Sequence, residues 1–153
     1  MLVFSEYQTD TIDLALDFYG YEDCPKNYEF GPSVRDNFVL HFITKGKGVF
    51  HFNKKEIHLE AGDLFLLPKN KVTYYKADEE EPWSYYWIGI SGTKVSDFMR
   101  FSTLHEKGFL KKTEVETEKI GQFMEQLVHK AEASKMTSHY QLHLLSQIYE
   151  LLY

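Results

Sequence analysis

The sequence contains a single cysteine, and one thiol can form neither an internal disulfide nor a cysteine-based metal site. It has no apolar run near the roughly 20 residues that a transmembrane helix needs, so a membrane-spanning role is excluded. Its first ten residues lack the basic start and apolar stretch of a secretory signal, so we expect a cytoplasmic location. Basic residues are fewer than acidic ones, 17 against 23. Because a net charge of −6 is repelled by phosphate backbones, the chain by itself is not expected to bind nucleic acid.

Aromatic residues are abundant by contrast, with 2 Trp, 11 Tyr and 12 Phe among 153 residues. A hydrophobic content of 43% excludes intrinsic disorder, and the length suits one compact domain or one domain with an appendage. Aromatic rings fill β-rich cores, and Tyr and Trp also line pockets that need an apolar face and a polar tip. Most of these rings are therefore expected in the core, and some in a binding site.

The first two thirds of the chain are typical of short strands. Apolar residues alternate with polar ones from Ile12 to Phe18, which predicts a half-buried strand with Ile12, Leu14, Leu16 and Phe18 on one face. The glycines of Lys45-Gly46-Lys47-Gly48 predict a hairpin turn. Further strands are predicted at 38–43, 49–52, 57–59, 64–67, 72–75 and 85–88. Many short strands with glycine or proline turns favour a sandwich or a small barrel.

After Gly92 the apolar period becomes helical. It predicts a short helix around Val95, a longer one at about Val115–Ala133, and a capping box of Thr113 and Glu116 at its start. A last helix begins near residue 138 and is still apolar where the sequence ends. We therefore expect a fragment of a longer protein, with a helix that pairs with a second copy. Packing of this helix on its own sheet is the alternative. The expected dimer contacts are Leu144, Leu145, Ile148, Leu151 and Leu152.

Several motifs, in their order along the chain, resemble known families. Gly62 and Pro68, separated by five residues, resemble the second motif of cupins, which are small jelly-roll barrels. The combination of more specific motifs resembles the amino-terminal, effector-sensing part of AraC-type transcription regulators, in particular those of multiple-sugar-metabolism operons. These motifs are Gly31-Pro32 with Arg35-Asp36, Leu40-His41-Phe42, Gly46-Lys47-Gly48, and Pro82-Trp83-Ser84-Tyr85-Tyr86-Trp87-Ile88-Gly89.

The resemblance implies a mainly β fold, a cupin-like double-stranded β-helix followed by C-terminal α-helices. The ligand-binding barrel is expected at residues 8–92 and a helical region at 93–153, with antiparallel dimerisation helices at about 114–133 and 138–153. In this family a helix-turn-helix module follows the sensing part and holds the DNA. DNA is therefore expected as a partner only through a module beyond residue 153.

Spacing argues against a metal. Alignment on the two cupin motifs places Ser33, Arg35 and Val39 where metal cupins have two histidines and a glutamate, and Thr73 at the third histidine. These residue types cannot assemble an imidazole and carboxylate site. We predict no bound metal and no cofactor.

The same alignment places Arg35 and Thr73 inside the barrel, and the two-residue period of strands adds His41 and Tyr75. Tyr75, and the strand face that carries Tyr85 and Trp87, correspond to positions where a sugar-binding member of the family contacts its ligand. Each of these side chains has an alternative as an ordinary core residue, or for Arg35 as an ion pair with Asp36. The expected ligand-binding residues are Arg35, His41, Thr73, Tyr75, Tyr85 and Trp87, with no catalytic residue.

The resemblance implies a homodimeric sensor of a small carbohydrate. It favours α-galactosides such as raffinose or melibiose, and pentoses stay open as ligands. Two alternatives remain from the residues. One is a metal-independent cupin enzyme, such as a sugar isomerase or epimerase, with His41 and a tyrosine as base and acid. The other is a carbohydrate-binding or dimerisation module without a DNA-binding part.

Overall fold

The computed structural model of the protein describes residues 5–6, 15–34, 36–100 and 102–133. It confirms the predicted fold class, a mainly β jelly roll of cupin type followed by helices. The strands are β1 (Ser5–Glu6), β2 (Ala15–Asp23), β3 (Glu29–Ser33), β4 (Phe38–Lys45), β5 (Lys47–Phe52), β6 (Lys55–Glu60), β7 (Leu64–Leu67), β8 (Thr73–Ala77), β9 (Ser84–Ser91) and β10 (Phe109–Leu110). The helices are α1 (Thr93–Arg100), α2 (Thr103–Lys107) and α3 (Glu118–Ala133).

The strands form two antiparallel sheets packed face to face. One sheet has six strands in the order β1-β2-β9-β4-β7-β10, and the other has four in the order β3-β8-β5-β6. From β4 to β9 the chain passes repeatedly from one sheet to the other, which is the connectivity of a jelly roll. Residues that face inward on both sheets therefore meet in one interior.

Strand β9 separates two cores, because its side chains alternate between the faces of the six-stranded sheet. Tyr85 and Trp87 point between the sheets, where they join the fully buried Phe50 and Phe65. Tyr86 and Ile88 belong to the second core, in which helices α1 and α3 cover the outer face of the same sheet. A single strand thus contributes to the interior and to the helical layer.

The predicted hairpin at Gly46 is wrong. Strands β4 and β5 lie in different sheets, so the glycine makes a corner and not a hairpin turn. Gly46 has φ of +76°, and a Cβ there would lie 2.3 Å from the carbonyl oxygen of Pro82. The glycine is required because the chain bends against the Pro82–Trp83 backbone.

The predicted face of the first strand is also wrong where the structure describes it. Leu16 packs in the helical core and Phe18 packs between the sheets, because the pairing of β2 with β9 shifts between these two residues. Such a bulge moves the residues that follow it to the other face. Ile12 and Leu14 lie outside the described residues.

Helix α3 begins at Glu118, later than predicted, and the predicted capping box at Thr113 precedes its first turn. The side-chain hydroxyl of the buried Thr117 instead donates to the carbonyl of Gly62, which ties the helix start to the β6–β7 corner. The short helix α2 and strand β10 were not predicted. The predicted helix from residue 138 lies outside the described residues, and none of the described helices is long and apolar enough to cross a bilayer.

Candidate functional site

A patch of polar and aromatic side chains lies between the two sheets. It contains His41 from β4, Tyr75 from β8, and Tyr85 and Trp87 from β9, and the side chains are 2 to 8% exposed. Strand alternation brings them together as predicted, because His41 is paired with Trp87 across β4 and β9 while Tyr75 faces them from the other sheet. We call these four residues, together with Glu22 described below, the inner patch.

The imidazole of His41 is held by aromatic rings on three sides. It stacks on Phe65 with ring centroids 4.3 Å apart and an interplanar angle of 7°. The Tyr85 ring meets it edge-on at 4.8 Å, and the Tyr75 ring lies 5.4 Å away. The Trp87 indole in turn packs edge-on against Tyr85, with centroids 5.8 Å apart.

The hydroxyl of Tyr85 is the centre of the polar contacts in this patch. It lies 3.4 Å from the Tyr75 hydroxyl, and the Cys24 thiol and the Glu22 carboxylate are further polar groups near it. Burial strongly raises the pKa of Tyr85, so the phenol stays protonated at neutral pH. It is therefore a hydrogen-bond donor and not a base.

Glu22 was missed by the sequence prediction. It is paired directly with Tyr85 across β2 and β9, so both side chains lie on the inner face of the sheet. Burial raises the pKa of the Glu22 carboxyl, and the hydrogen bond from Tyr85 offsets part of this rise. The two-residue period through Phe18, Gly20 and Glu22 places Glu22 on the inner face and could have identified it. The bulge before Phe18 breaks the alternation that begins at Leu16, so the period is not evident from the sequence.

Gly20 lies between Phe18 and Glu22 on the inner face of β2 and is paired with Trp87. Because glycine has no side chain, β2 places no group beside the indole at this register position. Phe18 and Glu22 flank it along the strand, one apolar and one acidic. The arrangement around Trp87 therefore combines a flat ring with an acceptor on one side.

Some buried polar atoms lack a hydrogen-bond partner among the described residues, and two of these atoms belong to residues of the sheets or of the loop before β9. They are the indole Nε1 of Trp83 and the hydroxyl of Ser33. Trp83 is fully buried, stacks on Phe65 with centroids 5.2 Å apart, and contacts the rings of Tyr75 and Tyr85. Although Trp83 belongs to the motif around β9, the sequence prediction did not place it in the site.

Thr73 is the first residue of β8 and precedes Tyr75 by two residues. It is 3% exposed, is paired with Ser33, and lines a groove of about 610 Å³ together with Phe52, Val72 and Lys71. Arg35 and the predicted dimer residues Leu144, Leu145, Ile148, Leu151 and Leu152 lie outside the described residues.

The donor set does not suit the metal ion that other cupins carry. Of the four positions aligned with metal ligands, Ser33, Val39 and Thr73 are described, and none bears an imidazole or a carboxylate. No cluster of three or more His, Cys, Asp or Glu side chains with metal-binding geometry occurs in the described part of the chain.

Comparison with known proteins shows sequence relatives among sugar-operon regulators. The chain is 46% identical over 105 residues to the Msm operon regulatory protein of Streptococcus mutans, which covers 69% of this chain and 38% of that protein. It is 41% identical over 100 residues to the raffinose operon transcriptional regulatory protein RafR of Pediococcus pentosaceus, 63% of this chain and 36% of the relative. It is 33% identical over 98 residues to the lactose operon transcription activator of Staphylococcus xylosus, 64% of this chain and 35% of the relative. The matched region thus spans little more than a third of each of these curated relatives.

The fold is shared with the solved structure of YhaK at low sequence identity. YhaK from Escherichia coli aligns with a TM-score of 0.52 and 13% identity over 61% of this chain and 46% of that chain. The cupin domain of Cnp3 from Schizosaccharomyces pombe aligns with a TM-score of 0.48 and 16% identity over 65% of this chain and 70% of that chain. Residues 15–152, nearly the whole sequence, match the family described as the AraC-like ligand binding domain. The chain belongs to this family of AraC-like ligand-binding domains.

Proposed function

We propose that this chain is the effector-sensing part of a sugar-responsive transcription regulator and that it binds a small carbohydrate between its two sheets. The observation that carries the proposal is the inner patch, where Trp87 packs against Tyr85 and is paired with His41, and where Glu22 lies one inward position along β2. The operon names of the three relatives support a carbohydrate as the ligand.

A sugar needs two kinds of contact. Its C–H face packs on a flat aromatic ring, and its hydroxyls need donors and acceptors held in place within a preformed site. In the proposed complex Trp87 supplies the ring, while His41, Tyr75 and Tyr85 supply or orient the polar contacts. Thr73 and Arg35 complete the proposed set of ligand contacts.

Catalysis fits this arrangement less well than binding does. A metal-independent isomerase or epimerase would use His41 and a tyrosine as base and acid. The His41 imidazole, which would be the base, is stacked on the Phe65 ring and is covered by the rings of Tyr75 and Tyr85. We therefore propose a binding protein and not an enzyme. Proton exchange into a bound sugar in D₂O, followed by NMR, would reveal an isomerase or epimerase, and none is expected.

The proposed regulator acts as a dimer in the cytoplasm. The barrel at residues 8–92 would bind the effector, and the helices at about 114–133 and 138–153 would pair with a second copy. DNA would be held by a module outside this sequence, in keeping with the net charge of −6. Sedimentation should show a dimer that Leu145→Asp disrupts, whereas Gln147→Asp at a polar position should leave it intact. A monomeric wild type would contradict the dimer.

Trp87 gives the direct test of the binding site. Trp87→Leu keeps an apolar side chain but removes the flat ring, whereas Trp87→Phe keeps a smaller ring. In calorimetric titrations with raffinose, melibiose, lactose, galactose and arabinose, we expect at least one sugar to bind wild type. Trp87→Leu should lower the affinity for that sugar by about tenfold, since aromatic contacts contribute about 0.5–1.5 kcal/mol beyond burial. Trp87→Phe should lower the affinity by less. Equal affinity of wild type and Trp87→Leu would remove the stacking role.

A further inference from the structure

We propose that Glu22 determines the ligand specificity of the inner patch, because its carboxylate accepts hydrogen bonds from sugar hydroxyls and rejects sugar acids. The proposal rests on the proposed function and deepens it by defining the ligand class. It predicts a sensor of uncharged carbohydrates that discriminates against uronic acids and sugar phosphates.

The position of Glu22 follows from the strand register. Glu22 and Gly20 on β2 are paired with Tyr85 and Trp87 on β9, so the carboxylate lies one inward position away from the indole. Successive inward residues of a strand are about 7 Å apart, which is the span of one pyranose ring and its hydroxyls. A sugar stacked on Trp87 would therefore present its edge to Glu22.

The hydrogen-bond inventory leaves Glu22 with unused acceptors. An ionised carboxylate only accepts hydrogen bonds, and it has about four acceptor sites. Tyr85, which is paired with Glu22 across β2 and β9, has one hydroxyl proton and can fill at most one of these sites. The Tyr85 oxygen also lies 3.4 Å from the Tyr75 hydroxyl, so Tyr85 contacts protein groups and is a positioning residue.

The charge of Glu22 opposes an acidic group on the part of the ligand that lies next to it, whereas the proposed Arg35 contact is assigned to vicinal hydroxyls of the ligand. Glu22 forms no ion pair with a lysine, arginine or histidine in the part of the chain that the structure describes. The neighbouring Asp23 points to the other face, where its carboxylate contacts Ser84, Tyr21 and the Lys45 ammonium. A second carboxylate brought next to Glu22 would meet like charge at a half-buried site, and such juxtapositions are strongly unfavourable.

The test compares two pairs of sugars that differ only in oxidation at C6. Galactose against galacturonate and glucose against glucuronate are titrated calorimetrically into wild type, Glu22→Gln, Glu22→Lys and the control Asp23→Asn. Melting curves establish that each variant is folded. For the sugar pair that binds, wild type should prefer the neutral member by about tenfold or more. Glu22→Gln should bring this ratio to within about threefold, and Glu22→Lys should reverse it. Asp23→Asn removes a carboxylate one residue away and should keep the wild-type ratio.

The outcomes separate this inference from the proposed function. A wild type that binds neutral and acidic members equally, or a Glu22→Gln variant with the wild-type ratio, overturns the role of Glu22 and leaves carbohydrate sensing intact. A wild type that binds none of these four sugars and none of the panel used for Trp87 overturns carbohydrate sensing, and the role of Glu22 with it. The expected affinity ratios of Glu22→Gln and Glu22→Lys are independent of each other. If one variant fails to fold, the ratio measured for the other still decides the role of Glu22.

Discussion

Tyr85 and Tyr86 are consecutive in the sequence, yet their hydroxyl groups lie on opposite faces of the six-stranded sheet. The Tyr85 hydroxyl is 3.4 Å from that of Tyr75 in the interior of the sandwich. The Tyr86 hydroxyl is 3.1 Å from Nε2 of His129 on helix α3. Strand β9 therefore contacts the proposed ligand site on one face and the helical layer on the other.

This pair allows a matched test in which each variant removes one oxygen atom. Tyr85→Phe should weaken sugar binding by about tenfold, because the inner patch loses a buried hydroxyl that lies 3.4 Å from that of Tyr75. Tyr86→Phe should leave binding unchanged and lower the free energy of unfolding by about 0.5–1 kcal/mol through the lost bond to His129. Calorimetric titration and urea unfolding measure the two effects. Equal loss of binding in both variants would contradict the separation of the faces.

The single cysteine should be unreactive in the folded protein. Burial raises the pKa of the Cys24 thiol to about 12, so almost no thiolate is present at pH 8. We expect slow reaction with a disulfide reagent in native buffer and complete reaction in guanidinium chloride. Rapid native labelling would show that β2 and β3 open readily at this edge.

The same pKa shift predicts a loss of stability in alkaline solution. Between pH 9 and about 12 the unfolded thiol, with its ordinary pKa of 9.0, releases its proton while the folded thiol keeps it. Unfolding is therefore favoured increasingly as the pH rises above 9, and the effect is absent below that pH. Compared with Cys24→Ala, the melting temperature of wild type should fall more steeply from pH 8.5 to 10.5. If the melting temperatures of wild type and Cys24→Ala fell in parallel with pH, the raised pKa of Cys24 would be contradicted.

Gly121 should be needed for the close contact of helix α3 with the sheet. A Cβ at this position would lie 2.2 Å from the ring of Phe42 on β4. Alanine gains about 1 kcal/mol in helix propensity over glycine, but overpacking costs about 1–3 kcal/mol, so Gly121→Ala should be net destabilising by about 1 kcal/mol. Gln122→Ala at the neighbouring exposed position should change the free energy of unfolding by less than about 0.5 kcal/mol. Denaturant unfolding compares the two, and a stabilised Gly121→Ala would contradict the close packing.

Removal of divalent metal should have no effect on this protein. The positions aligned with cupin metal ligands carry Ser33, Arg35, Val39 and Thr73, which cannot form the usual site. Dialysis against EDTA should leave the melting temperature and the affinity for the sugar unchanged. A lower melting temperature after dialysis, restored by a divalent ion, would contradict the prediction.

Much of the fold could be predicted from local patterns. Starting from the aligned cupin positions, alternation predicted that His41 and Tyr75 face inward, because the side-chain period of a strand depends only on its backbone geometry. For Tyr85 and Trp87 the prediction came from the family resemblance. The helical period likewise predicted α3, with an error of a few residues at its start. The start shifted because Thr117 binds the carbonyl of Gly62, and no local pattern specifies a bond between residues so far apart in the chain.

The composition, the strand and helix periods and the family motifs were determined by the sequence, since each depends on residues near one another in the chain. The tertiary structure decided what the sheets bring together: the corner at Gly46, the bulge that turns Phe18 inward, and the pairing of Glu22 with Tyr85. These features depend on the register between strands separated by long stretches of sequence. That register is set by the packing of both sheets at once, and local periodicity carries no information about it.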